Sequence, residues 1–161
     1  MGRATTDGES DAEEPREITG LVVPVPEAQQ YAVNPHVTLL APFGSRERVE
    51  DVALHAELAD LFATVAPFDF ALVEVRKFPN GLVYLAPEPA DRFRTITYAL
   101  AARYPDFPPY EGQFVDVIPH LTLDEGAQPH PLPIRAHAAN ARLVHSGAGG
   151  WAVLAEFTFA G

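Results

Sequence analysis

None of the 161 residues is a cysteine. That excludes a disulfide framework, a thiolate nucleophile and any Cys-based zinc site. Lysine is almost as scarce, with Lys77 standing alone among 11 basic residues against 22 acidic ones, for a formal net charge of -11. Affinity for long nucleic acid comes from many Lys and Arg contacts to phosphate, so this balance argues against a protein that grips a polynucleotide backbone. No apolar run approaches the roughly 18 residues of a membrane span, and the first residues lack the basic-then-apolar pattern of a secretory signal. The expectation is a soluble, cytoplasmic monomer with no membrane partner.

Part of the acidity is local. Residues 1–17 hold six carboxylates and only Arg3 and Arg16, a net of about -4 that leaves about -7 on the rest. This segment reads as a disordered acidic N-terminal tail. Residues 18–161 then form one domain, for which a hydrophobic content of 47% supplies an ample core. An acidic body favours a small or short substrate held by a few local cations.

Against this background one pattern stands out. Pro35-His36-Val37-Thr38-Leu39 and Pro119-His120-Leu121-Thr122-Leu123 match at four of five positions. In an extended strand alternate side chains share a face, so His36 and Thr38 point one way while Val37 and Leu39 point the other, and the same holds for His120 and Thr122. The prolines bias Asn34 and Ile118 toward extended backbone. Composition alone predicts on the order of a third of one His-x-Thr match. Either copy by itself would read as an ordinary buried strand whose histidine is satisfied in the core; the pair, sharing its flanks, points to a site with two imidazoles and two hydroxyls.

The rest of the chain reads as an alternation of strands and helices. Ile18 to Val25 is a strand ended by prolines, and a loop from Glu27 to Asn34 leads into the first motif strand, His36 to Pro42. From Ser45 to Thr64 apolar residues recur at helical spacing, with Ser45 as candidate N-cap and His55 on the flank. Phe68, Phe70 and Leu72 alternate as a strand, and Asn80-Gly81 is the turn of a hairpin returning through Leu82 to Ala86. A second helix runs from about Glu88 to Arg103, with Pro89 in its first turn. Tyr104 to Phe114 is a proline-rich loop, followed by the second motif strand, Val117 to Leu123. Prolines at 129, 131 and 133 exclude a long helix after it. Ile134 to His145 and Trp151 to Phe159 close the chain as two strands. Hairpins and short connections imply an α+β fold of largely antiparallel sheets with helices on the outer faces.

Two histidines facing each other suit a reaction in which one proton is removed and another delivered, since an imidazole near its ordinary pKa works as base or acid near neutrality. Hydroxyl donors beside them suit phosphate oxygens. Cleavage of a phosphodiester fits both, and a cyclic one fits especially well because ring strain lowers the barrier. Arg76, Lys77, Arg135 and Arg142 are the cations best placed to steer a phosphate; Phe43, Tyr110 and Trp151 are aromatics able to stack on a base. His130, His137 and His145 match no standard zinc spacing with His36 or His120. Alternation also puts Asp124 on the face of His120 and Thr122, where it would repel a phosphate.

The paired His-x-Thr strands, the helix after the first, the hairpin from Phe78 to Tyr84 and the strand Trp151 to Phe159 resemble the two-histidine (2H) phosphoesterase superfamily, in its 2′-5′ RNA ligase-like branch. The resemblance covers roughly residues 18–161. It implies a bilobal fold of two antiparallel sheets with internal pseudo-twofold symmetry, the motif strands lining a central cleft. It also implies metal-independent, cofactor-free chemistry on 2′,3′-cyclic phosphates, ADP-ribose cyclic phosphate or 2′-5′ linkages in a small nucleotide or short RNA. His36 and His120 then match the acid/base pair, and Thr38 and Thr122 the phosphate-binding hydroxyls. Two alternatives stay open: a 2′-5′ RNA ligase, and a module of the same fold that binds a nucleotide or RNA end without turnover.

Overall fold

The computed structural model describes residues 17–44, 46–107 and 117–161. Eight strands and three helices follow in the order β1 Ile18–Pro24, β2 His36–Leu40, α1 Arg46–Val49, α2 Val52–Phe62, β3 Phe68–Lys77, β4 Val83–Glu88, α3 Asp91–Arg103, β5 Leu121–Thr122, β6 Ile134–Ala138, β7 Asn140–Gly147 and β8 Gly150–Thr158, with a short 3-10 turn at Pro26–Ala28 after β1. They build two four-stranded sheets, ordered β2-β1-β7-β8 and β5-β4-β3-β6. Every pairing is antiparallel. Each sheet has a motif strand at one edge, and the two motif edges, β2 and β5, touch across the junction. This is the bilobal α+β arrangement that the resemblance to 2H phosphoesterases implies.

The two longer helices each pack a narrow apolar stripe against the sheets. In α2, Leu54, Leu58 and Phe62 recur every four residues and are buried, as one face of a 3.6-residue helix requires. Phe62 stacks on Phe157 and Phe159 of the first sheet and its C-terminal extension. In α3, Phe93, Ile96, Thr97 and Leu100 are buried, and the Phe93 ring meets Phe68 and Phe70 of the second sheet edge-on. One continuous core runs beneath both lobes, from Leu21 and Val23 through Leu58 and Phe93 to Leu143 and Phe157.

The motif strand β2 alternates as its sequence demands. Val37 and Leu39 are buried in the core while His36 and Thr38 stay half-buried on the opposite face. A bulge falls immediately beyond Thr38: Val22 pairs with Thr38 and Leu21 with Leu40, which leaves Leu39 without a partner in the ladder. Such a residue loses its regular backbone pairing. Thr97 of α3 replaces it, donating its hydroxyl to the Leu39 carbonyl at 2.7 Å in a buried setting.

Several boundaries differ from the sequence reading. The helix expected over Ser45 to Thr64 is two helices, because the Asp51 carboxylate accepts the Ala53 N–H and caps α2 afresh. Ser45 lies outside the described residues. Pro89 precedes α3 rather than sitting in its first turn, and Glu88 ends β4. The second motif strand shrinks to Leu121–Thr122. Pro119 lacks the N–H that would extend the ladder. The single strand expected from Ile134 to His145 is β6 in one sheet and β7 in the other, separated by Ala139. The buried positions show why: Ala136 and Ala138 face inward before the break, Ala141 and Leu143 after it. The parity of burial slips by one residue, so one strand cannot serve both runs. The Asn80-Gly81 hairpin turn stands as expected, with Gly81 at a φ of 95° and the Phe78 carbonyl accepting its N–H at 2.8 Å.

Candidate active site

The two histidines are held in the same way. His36 Nδ1 lies 2.6 Å from the Asn34 carbonyl, and His120 Nδ1 lies 2.7 Å from the Ile118 carbonyl, two residues upstream in both cases. A carbonyl oxygen only accepts, so each Nδ1 carries the proton and donates it. The neutral ring therefore bears its lone pair on Nε2. The extended backbone that each following proline imposes on Asn34 and Ile118 turns those carbonyls toward the rings. A local sequence feature thus sets the tautomer twice.

Burial pushes both imidazoles below their ordinary pKa, opposed in each by the carbonyl contact. A positive charge on His120 lowers His36 further. The two rings share one electrostatic environment.

The strand register extends each motif into a matching rung. Thr38 pairs with Val22, and Val22 with Arg142 on its other side. In the second lobe Thr122 pairs with Tyr84, and Tyr84 with Arg76. Threonine, neighbour, arginine: the order is the same in both lobes. Each arginine is also held by a carboxylate, Arg142 by Glu156 at 2.8 Å and Arg76 by Glu74. Glu74 keeps the Arg76 guanidinium more firmly protonated than usual, with a smaller contribution from Tyr84.

The surroundings of the two rings differ. The His36 ring lies 4.9 Å from Trp151 and lines a cavity of about 330 Å³ with Asn34, Asn140, Arg142 and His137. The His120 ring meets Phe78 and Tyr84 edge-on at 5.0 and 5.5 Å, and those two rings stack on each other at 4.2 Å. Aromatic rings thus flank both imidazoles, one beside His36 and two beside His120.

Not every candidate belongs here. Phe43 is 1% exposed and packs edge-on against Tyr104 and Phe107 in the core, so it is no base-stacking surface. Its position just beyond β2 puts it on the inward parity. Arg135 lines a neighbouring cavity without His36 or His120, and Lys77 is exposed at the end of β3 opposite Val83. Tyr110 lies outside the described residues. Asp124 does not approach as a bare carboxylate: its Oδ2 accepts the Val33 N–H at 2.9 Å, and its backbone N–H donates to the Tyr31 carbonyl at 3.0 Å. The Tyr31 hydroxyl in turn accepts the His130 N–H at 2.7 Å. These contacts stitch the loop before His36 to the segment after Thr122.

Sequence reading overlooked the aromatic cradle of His120 and the His137 contact to Asp69. Tyr84 was legible, since the hairpin puts it on the strand beside the second motif. The His137 Nδ1 to Asp69 Oδ1 contact at 2.7 Å joins β6 to β3, a pairing no local pattern announces. His55 Nε2 is engaged by the Val49 carbonyl at 2.6 Å, and His145 is buried beside Glu17 at 3.1 Å. Among the described residues no three His, Asp or Glu side chains converge as a metal set. No helix among them is long and apolar enough to cross a membrane.

The architecture has close counterparts among solved structures. TT0787 of Thermus thermophilus superposes with a TM-score of 0.64 over 89% of this chain and 98% of its own, at 18% identity. LigT of E. coli, solved in complex with 3′-AMP, gives a TM-score of 0.64 over 92% of this chain and 100% of its own, at 16% identity. A third structure, described as a phosphoesterase, gives 0.62 over 92% and 99%, at 15% identity. At these identities the likeness speaks for the fold. None of the curated proteins matches the chain in sequence. The model of the 2′-5′ RNA ligase superfamily, however, matches residues 13–147. With its paired His-x-Thr strands at the meeting edges of two equivalent sheets, the chain belongs to the 2′-5′ RNA ligase superfamily of 2H phosphoesterases.

Proposed function

We propose that this protein is a metal-independent phosphodiesterase that hydrolyses a 2′,3′-cyclic nucleotide phosphate or a short 2′-5′-linked or cyclic-ended oligonucleotide. The observation that carries the reading is the duplicated ring contact, His36 to Asn34 and His120 to Ile118. It presents two imidazoles in one tautomer, each with Nε2 as the working atom. Thr38 and Thr122 supply the hydroxyl donors for the nonbridging phosphate oxygens. The known complex of E. coli LigT with 3′-AMP agrees with a small nucleotide as ligand.

The two rings divide acid and base between them. One imidazole takes a proton from water at Nε2 as the water oxygen bonds to phosphorus. The opposite phosphorus–oxygen bond to the ribose breaks, and the other ring, entering as the imidazolium, gives its Nε2 proton to the departing alkoxide. One water is consumed, the product is a phosphomonoester, and the two rings end with their protons exchanged. With a ribose hydroxyl in place of water, the same pair would form a phosphodiester linkage.

The test is turnover of 2′,3′-cyclic nucleotides in excess chelator by wild type, His36→Ala and His120→Ala. Each substitution should cost roughly 10²- to 10⁴-fold in kcat, and the double variant little more than the worse single one. Undiminished activity in either variant refutes the pair. The division of roles has its own check in a nitrophenyl phosphodiester, whose leaving group needs no proton. The variant lacking the acid should lose far less on that substrate than the variant lacking the base; equal losses refute the division.

A further inference from the structure

A second cavity, of about 570 Å³, adjoins the first at His137, whose side chain lines both. Its floor follows from strand register. Ala71 of β3 pairs with Glu88 of β4 on one side and with Arg135 of β6 on the other. Glu88, Ala71 and Arg135 therefore form one rung, with the two charged residues about 10 Å apart between backbones at the usual strand spacing. The small alanine leaves the gap between them open.

Glu88 and Arg135 are long enough to meet across that gap, yet among the described residues neither side chain makes an ion pair or a hydrogen bond. Arginines elsewhere are engaged: Arg94 with Asp91, Arg103 with Glu57, Arg142 with Glu156. The other two carboxylates of the cavity are occupied at His137. Asp69 accepts from its ring Nδ1 and Glu27 from its backbone N–H at 3.3 Å. The open rung thus presents one acceptor fork and one donor fork, side by side, on a wall continuous with the cavity of His36. A further phosphate is a poor match, because Glu27, Asp69 and Glu88 would all face it. A planar group with a donor edge next to an acceptor edge is a good one.

Guanine is the base with that arrangement. Its N1–H and N2–H donors match a single carboxylate, and its O6 and N7 acceptors match a single guanidinium, so both contacts are two-point. Adenine offers only N6 as a donor there, and pyrimidines have no N7. Building on the nucleotide substrate proposed above, we infer that this cavity reads a guanine base, Glu88 accepting from N1–H and N2–H and Arg135 donating to O6 and N7.

Two measurements test this independently of each other. Calorimetric binding of the four nucleoside 3′-monophosphates, and of inosine 3′-monophosphate, needs no catalysis; hydrolysis of the four 2′,3′-cyclic nucleotides needs both. Wild type should favour guanine by roughly ten- to a hundredfold in Kd and kcat/KM, with inosine weaker for want of its 2-amino group. Glu88→Gln and Arg135→Ala, both exposed positions, should each bring guanine to within a few fold of cytosine, lowering the guanine values far more than the cytosine ones. Binding without guanine preference, or a preference that survives both substitutions, overturns the inference. Turnover without guanine preference sinks the inference and spares the phosphodiesterase reading; guanine-selective binding without turnover of any cyclic nucleotide does the reverse.

Discussion

The bulge at Leu39 makes Thr97→Val the most informative single substitution in the fold. Leu39 has no partner in the β1–β2 ladder, and its carbonyl accepts the Thr97 hydroxyl at 2.7 Å. Thr97 is 2% exposed and Leu39 2% exposed, so water cannot take over without local opening. Valine keeps the shape of threonine and removes the donor. The loss is therefore an unsatisfied buried carbonyl with no cavity, which costs about 1–3 kcal/mol. For a chain of this size that corresponds to a fall in Tm of about 2–12 °C. Urea titration of wild type, Thr97→Val and Thr97→Ser reads it directly: the midpoint should drop for valine at constant m, and serine, which restores the hydroxyl, should recover most of it. Because Leu39 follows Thr38 on the motif strand, kcat on a cyclic nucleotide should fall with valine and return with serine. A valine variant within about 0.3 kcal/mol of wild type would mean that the Leu39 carbonyl is satisfied elsewhere, and the account of the bulge would fail.

Two further outcomes follow from the same structure. Burial lowers the pKa of His36 and of His120 in the folded protein relative to the unfolded chain. The unfolded state then binds more protons in the interval below the ordinary histidine value of about 6.5, so the stability linked to these rings is complete above it and is lost as pH falls through that interval. Urea midpoints between pH 7 and 5 should decline less steeply in the double variant His36→Gln, His120→Gln than in wild type; identical slopes would show that the rings are not desolvated. Phe43 separates core from site: Phe43→Ala should lower stability by about 3–5 kcal/mol, while a milder Phe43→Leu variant, checked by steady-state kinetics, should keep the wild-type KM. A KM raised tenfold in the folded leucine variant would restore Phe43 to the substrate.

The candidate site was more legible in the sequence than the strands that carry it. Two copies of a five-residue pattern fix which side chains share a face, and strand alternation is a local rule, so His36 with Thr38 and His120 with Thr122 could be paired without knowing the topology. The flanking prolines even foretold the extended backbone whose carbonyls now hold the rings. Harder to foresee was everything set by which strand lies beside which. Arg76 and Arg142 look alike in sequence to Arg135; only the register puts the first two on rungs with a motif threonine and the third across Ala71 from Glu88. Phe43 was misplaced because an aromatic just beyond a functional strand faces the cleft or the core according to a single step of parity. The break at Ala139 was in fact written in the chain, since polar residues occupy odd positions at 135 and 137 and even ones at 140 and 142. A slip of parity inside a continuous β-prone run marks a change of sheet.

The acidity of the protein and the phosphate site proposed for it are reconciled by the chemistry of the donors. A site that relied on unpaired lysines and arginines would have to overcome the field of an excess of carboxylates on the same small body. Here the groups nearest the motif threonines are neutral hydroxyls, imidazoles pushed toward their neutral form by burial, and arginines whose charge is already offset by Glu156 and Glu74. Such donors bind through short, directed hydrogen bonds whose strength depends on geometry more than on net charge. That favours a phosphate embedded in a small molecule that fits the cleft, and gives no advantage to a polyanion whose affinity would come from releasing counterions along a basic surface. On the proposed function the acidic surface is a filter: it would leave intact the interactions that recognise one phosphate at close range and weaken those that capture many at a distance.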